Sequence, residues 1–283
     1  VFRWDALTGG MMLLSQFMAP NPSGHGRYLT STSAAGEVAM VYSPETLVAP
    51  DTNGGTDVFA VHTQANRLEL ISMTPSGEAG DSWSDGGSIS RDGSRVAFNS
   101  EATNLTSHTH LNTALDIYVR ELAAGTTSLA TYSIYDPTST MTGLSDQAEM
   151  SPDGTTVGFT AHSSDLVVGG PELWTFHAYR RNLESGQIDV VSVDPTGFPV
   201  DDSFHWSPTL STGGAAVGFR SFSEVLAPGY TGPHSPALMQ AYYRDMASET
   251  TVLVSANHDA MELGQGNSTC LEVTPDGRLM VFS

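Results

Sequence analysis

Short runs of alternating apolar and polar residues follow one another along the chain, and turns ending in glycine punctuate them at regular intervals. The turns read Ser33-Ala-Ala-Gly36, Ser90-Arg-Asp-Gly93, Ser151-Pro-Asp-Gly154, Ser211-Thr-Gly-Gly214 and Thr274-Pro-Asp-Gly277, so their glycines lie 57, 61, 60 and 63 residues apart. Spacing that regular marks stacked structural repeats with loops of variable length. A second pattern runs in phase: an aromatic residue followed thirteen positions later by Ser or Thr. The pairs are Phe2 and Ser15, Phe59 and Ser72, Tyr118 and Thr131, Tyr179 and Ser192, and Tyr242 and Ser255.

Each period holds four short β-runs, clearest in the third copy around Ala148 to Ser151, Thr156 to Thr160, Ala178 to Leu183 and Ile188 to Val193. Pro152 fixes φ at the first corner of the turn, and Gly154 can take the positive φ that a tight hairpin needs. Val157 and Phe159 alternate with small or polar neighbours, the period-2 signature of a strand. A four-stranded meander buries its faces when such sheets stack around an axis, so the pattern predicts an all-β chain, a β-propeller of four-stranded blades. Blade repeats start near 28, 88, 148, 207 and 271. Residues 1 to 15 supply only third and fourth strands, and residues 271 to 283 only first and second. The expectation is a single domain over residues 1–283, five blades in all, with a hybrid blade in which the strand from Phe2 to Leu7 pairs with the strand ending in Met280 to Ser283; the alternative is a stretch of a larger ring. That register further expects Phe98, Phe159 and Phe282 to be equivalent and buried. Val1 is not an initiator Met, which points to a longer product.

Ser-Pro-Asp-Gly-x-x-Val-x-Phe (Ser151 to Phe159) and Asp-Ile-Tyr-Val-Arg-Glu-Leu (Asp116 to Leu122) resemble the WD-like propeller repeat of bacterial TolB-type proteins. The resemblance is nearest to a longer-bladed variety of cell-envelope and secreted proteins. Its middle connection is matched by Ser100-Glu-Ala-Thr-Asn104-Leu105 and by Asp51-Thr-Asn53-Gly54-Gly-Thr-Asp57. His177 and Gln240 depart from it, standing where Asp57 and Asp116 stand. The resemblance implies a scaffold that docks other proteins in a periplasmic or extracellular assembly. Fold alone does not imply activity.

Composition narrows the partners. The chain has no lysine, and its charged residues leave a net charge of -20. That repels nucleic acids and anionic membrane surfaces, so neither nucleic-acid binding nor direct membrane insertion is expected. The run Met11 to Leu14 is too short to span a bilayer. The lone Cys270 excludes a disulfide within the chain and reads as a small core residue.

No nucleophile elbow, phosphate loop or zinc-binding helix occurs, so no catalytic residue is named. Asp146, Glu149, Glu172 and Asp201 are carboxylates from which a glycosidase pair could be drawn. The alternative function is therefore a propeller hydrolase acting on glycans or peptides with acids at the central channel. His108-Thr-His110 has metal-like spacing but no third ligand, and His25 lies in a glycine-flanked turn. Trp174, Phe176, Phe204 and Trp206 are candidate contact residues for a docking surface, or blade-to-blade core. One loop places oxygen side chains at alternate positions around an Asn-Gly bend: Asp51, Asn53 and Asp57 form a candidate site for a structural Ca²⁺. The competing reading is a polar turn, since Asp116 recurs at the position of Asp57 without the rest of the motif, where His110, Asn112 and Asp116 make at most a degenerate copy.

Overall fold

A computed structural model describes residues 28–171, 175–202, 204–227, 238–256, 266–268 and 270–283, with the backbone of 2–4 and 11–13. Its described residues form four antiparallel four-stranded sheets and two hairpins. The first sheet contains β3 (Tyr28–Thr32), β4 (Val38–Ser43), β5 (Asp57–His62) and β6 (Arg67–Leu70). The second contains β7 (Ser84–Ile89), β8 (Arg95–Ser100), β9 (Asp116–Glu121) and β10 (Thr126–Leu129). The third contains β11 (Leu144–Met150), β12 (Thr156–His162), β13 (His177–Asn182) and β14 (Ile188–Val190). The fourth contains β15 (His205–Leu210), β16 (Ala216–Ser221), β17 (Gln240–Asp245) and β18 (Thr250–Leu253). The hairpins are β1 (Phe2–Trp4) with β2 (Met11–Leu13), and β19 (Cys270–Val273) with β20 (Met280–Phe282).

The aromatic of the sequence repeat is the register mark of the third strand. Phe59 faces Leu70, Tyr118 faces Leu129, Tyr179 faces Val190, Tyr242 faces Leu253, and Phe2 faces Leu13 in the same way. Across the other edge Phe98, Phe159 and Phe219 stand opposite Tyr118, Tyr179 and Tyr242 and stack on them at 5.8, 5.6 and 5.6 Å. Such cross-strand aromatic pairs add to the burial that holds each sheet together. Apolar clusters lie between successive sheets; Val38, Met40, Ile89 and Phe98 share one, and Ala97, Met150 and Phe159 the next.

The Ser/Thr-to-Gly turns close the first hairpin of every blade. In each, the hydroxyl accepts the backbone N–H five residues on, from Val38, Arg95, Thr156, Ala216 and Leu279. The glycine takes positive φ, 75° at Gly93 and 71° at both Gly154 and Gly277. Packing favours it as well, because a Cβ on Gly93, Gly154 or Gly277 would stand a tight 3.2 Å from the preceding blade's turn or second strand. Neighbouring turns are also tied together: Ala34 N–H donates to the Arg91 carbonyl, Arg91 N–H to Pro152, and Thr212 N–H to Pro275. Pro152 has no N–H to continue the series, and there Gly213 N–H bonds the Asp153 carboxylate at 3.0 Å instead.

The first strands of all five units surround one axial cavity of about 230 Å³, lined by Ser31, Ile89, Glu149, Thr209, Glu272 and the turns beside them. Two expectations are corrected at the edges. Among the described residues β1 with β2 and β19 with β20 are separate two-stranded sheets, so the expected pairing is absent between β1 and β20; residues 5–7 lie outside the described residues. Among the described residues no third strand pairs with β20, and Phe282 is 41 % exposed, whereas Phe98 and Phe159 are fully buried. The inner strands also begin earlier than the alternation indicates, at Ser84, Leu144 and His205, because a β-bulge interrupts each one. No described helix is long and apolar enough to cross a membrane.

Candidate functional site

The hairpin turns lie at one end of the blades, and the long second-to-third and blade-to-blade connections at the other. On this loop face, five residues before each turn's Ser, the inner strands carry Tyr28, Asp85, Asp146 and Trp206. Their cross-strand partners are Tyr42, Asn99, Thr160 and Arg220. Tyr28 stacks on Tyr42 at 4.9 Å. Asn99 donates to Asp85 at 3.2 Å and accepts the N–H of Ala148 from the next blade. Gln147 bonds the N–H of Ser207, which joins the third blade to the fourth. An arc of side chains thus runs around the axis over four blades.

The arc ends in aromatics. Phe176 contacts Phe204 at 6.1 Å, Phe204 stacks on Trp206 at 5.4 Å, and Trp206 meets Phe222 edge-on while Arg220 lies over its ring at 6.0 Å. Two members stay open to solvent: Tyr28 is 53 % exposed and Phe204 43 %. Burial pushes the Asp85 and Asp146 carboxyls above the usual range, and the charge of Asp146 adds to the effect on Asp85. Among the described residues neither forms an ion pair. Aromatic faces beside uncompensated carboxylates suit a cationic side chain, which gains from both.

The bulges that shape this arc rest on unusual backbone. Gly86 and Gly87 have φ of 57° and 85°, and at the same place Gln147 and Ser207 take 60° and 52°. Each bulge breaks the regular alternation of side chains along its strand. Asp85 carries no motif of its own, and only its offset from Ser90, equal to that of Asp146 from Ser151, marks it in the sequence.

The other sequence candidates separate. Asp146 and Glu149 share β11 but face different ends of the channel. Glu149 opens onto the axial cavity, where burial and the charge of Glu272 push its carboxyl up to about 7 against the pull of a Ser88 hydrogen bond. Asp201 pairs with His177 at 2.9 Å, and Glu172, Trp174 and His25 lie outside the described residues. Ser192, His177 and Asp201 form a hydrogen-bonded row, but Ser192 is fully buried and its hydroxyl accepts Ala178 N–H, so it presents no nucleophile. His108 bonds Thr106 and His110 faces Asp116 and Tyr118, so the two rings do not converge on one point. The Cys270 thiol is buried, which pushes it up to about 12.

Asp51, Asn53 and Asp57 are brought together. Asp51 is 1 % exposed and Asp57 0 %, and each influences the other's ionisation. Burial, then the charge of Asp51, push Asp57 up to about 6 against a hydrogen bond from Ser72. Asn53 holds the bend by accepting Gly55 N–H at 2.7 Å and donating to the Gly80 carbonyl at 2.8 Å. Among the described residues no three His, Cys, Asp or Glu gather in a metal-binding group; this loop offers two carboxylates and an amide.

No protein-family model matches the chain, and no curated protein does. Among solved structures it is similar to TolB from Acinetobacter baumannii at 14 % identity, covering 99 % of this chain and 58 % of that one with a TM-score of 0.52. A putative TolB from Agrobacterium tumefaciens matches at 13 % identity over 89 % of this chain and 88 % of that one, with a TM-score of 0.37. An oligogalacturonate lyase from Vibrio parahaemolyticus matches at 11 % identity over 99 % and 76 %, with a TM-score of 0.40. The chain spans 58 % of the length of the Acinetobacter protein. Its fold is a TolB-like β-propeller.

Proposed function

We propose that the chain is a non-catalytic propeller scaffold whose loop face docks a partner protein presenting cationic side chains, in a bacterial periplasmic or extracellular assembly. The observation that carries this reading is the arc of half-exposed aromatics beside Asp85 and Asp146, two acids without a counter-ion among the described residues. The net charge of -20 adds long-range steering toward a basic partner. The TolB-like fold supports the setting. In a tagged-chain purification from its native cell, Trp206→Ala and Asp146→Asn should each reduce recovery of one common partner by roughly tenfold or more, as expected of an aromatic or charged anchor. Asp276→Ala, on the exposed turn face, should leave recovery unchanged. Equal recovery by all three variants would remove the loop face from the interaction.

A second reading has one observation in its favour. Glu149 beside Glu272 in the axial cavity is a carboxyl held near neutrality next to another, the raw material of acid–base hydrolysis of glycans or peptides. Hydrolysis of such substrates that Glu149→Gln abolishes without unfolding the protein would favour this reading over the scaffold.

A further inference from the structure

Each of the four four-stranded blades buries a polar group at the start of its third strand and ties it to the Ser or Thr that ends the sequence repeat. Ser72 donates to Asp57 at 2.6 Å, Thr131 to Asp116 at 2.8 Å and Ser255 to Gln240 at 2.6 Å, while His177 lies 3.1 Å from Ser192. The same hydroxyls accept backbone N–H groups of Val58, Ile117, Ala178 and Ala241. This much is architecture, and it leaves the far atom of each buried group to be dealt with by the loop above it.

The blades differ in how they do so. In the second, His110 stands six residues before Asp116, as Asp51 stands before Asp57, and lies 3.8 Å from the Asp116 carboxylate. Asn112 repeats the work of Asn53, accepting Ala114 N–H and donating to the Gly143 carbonyl. In the third, His177 reaches Asp201, and in the fourth the group is a neutral Gln240. Among the described residues only the first blade sets a second carboxylate against the first. There Asp51 Oδ1 and Asp57 Oδ2 are both buried with no hydrogen-bond partner; Asp116 Oδ2 and Gln240 Nε2 share that state, but among the described residues two such oxygens belong to facing acids in the first blade alone. Two facing carboxylates, taken out of water without a compensating positive charge, repel each other and forfeit their hydration.

We propose that this pair, with Asn53 Oδ1, binds one Ca²⁺ at the place where the second blade sets the His110 ring beside Asp116. The donors are all oxygen, as hard cations require, with no His or Cys among them to favour zinc. Ca²⁺ suits the set better than Mg²⁺, which keeps most of its water and demands a strict octahedron. Backbone carbonyls of the loop and water would complete the shell. The role is structural: the ion fixes the Gly54-Gly55 bend over the start of β5, independently of whatever the loop face docks.

The test uses the full chain near neutral pH in physiological salt, with Ca²⁺ alone as the probe. Titration calorimetry should show one Ca²⁺ per chain. Ca²⁺ at a hundredfold excess over its Kd should raise Tm by about 5 °C relative to chelator, and Mg²⁺ at the same concentration should not. Asp51→His copies the residue that the second blade uses at this place, so it keeps the fold while abolishing the calorimetric site and the Tm response. Asp116→Asn, in the second blade, should leave both intact. Absence of a one-to-one heat and of any Tm response in the parent chain would mean that a shared proton holds the two carboxyls together and would overturn the proposal. So would a Ca²⁺ response that survives Asp51→His, which would place the ion elsewhere on the acidic surface.

Discussion

Replacing Phe159 by Ala removes a ring that is fully buried, lies opposite Tyr179 in the ladder and stacks on it at 5.6 Å with the planes 12° apart. The ring packs in the cluster that contains Ala97, Ile117, Met150 and Leu166, so it serves the contact between the second and third blades as well as its own sheet. Truncation of a buried Phe in a close-packed interior costs about 3–5 kcal/mol through lost transfer energy and the cavity left behind. In a domain of this size each kcal/mol moves the melting temperature by roughly 2 °C, so the midpoint should fall by about 6–10 °C. Phe282 supplies an internal control. It occupies the same place in the repeat but is 41 % exposed, so Phe282→Ala should cost less than about 1 kcal/mol. Urea melts of both variants, compared by midpoint with the slope held in common, measure the difference. A loss below about 1 kcal/mol for Phe159→Ala, or equal losses for the two, would refute the blade packing described above.

Three further outcomes follow from particular residues. A Cβ on Gly87 would stand 2.0 Å from the Ala97 carbonyl at a φ of 85°, whereas Gly54, at 70°, faces open space; urea melts should show Gly87→Ala costing more than about 2 kcal/mol and Gly54→Ala about 1 kcal/mol. Burial lowers His177 and His205 to about 4, so the unfolded chain takes up these protons first, and stability should fall as pH drops from about 6.5 through 4. His177→Gln, the residue the fourth blade uses, should make that fall shallower in melts across the window, and an unchanged slope would contradict the assignment. Glu149 has the opposite sign: its carboxyl is raised to about 7, so ionising it costs stability that is absent near pH 4 and fully felt above 7. Glu149→Gln should therefore stabilise the protein at pH 8 relative to its effect at pH 4, and a loss at pH 8 would show that the carboxylate is favourably held.

The blades were legible because their signals are local. A hairpin glycine at positive φ and an aromatic in fixed register with the Ser or Thr thirteen residues on need no tertiary information, and both patterns recur in place. The inner-strand starts were not legible, because positive φ at Gln147 and Ser207 breaks the alternation and nothing in those side chains announces it. The terminal strands are a different case: complementary half blades give strand content, while pairing depends on how distant segments approach. At the candidate site Asp146, Phe176, Phe204 and Trp206 stood out individually, but their union with Tyr28, Tyr42 and Asp85 exists only once the inner strands converge on the axis. The grouping of Asp51, Asn53 and Asp57 was readable from alternate spacing around Asn53-Gly54, and the structure adds that both acids are buried.

Docking through the loop face requires that this face be covered in the native assembly. Hydroxyl-radical footprinting of the chain, free and within its native assembly, reads this residue by residue. Tyr28, Phe204 and Trp206 should be oxidised in the free chain and protected in the assembly, while Leu279 on the turn face, also exposed, reacts equally in both. Protection of Leu279 with Tyr28, Phe204 and Trp206 left reactive would contradict it.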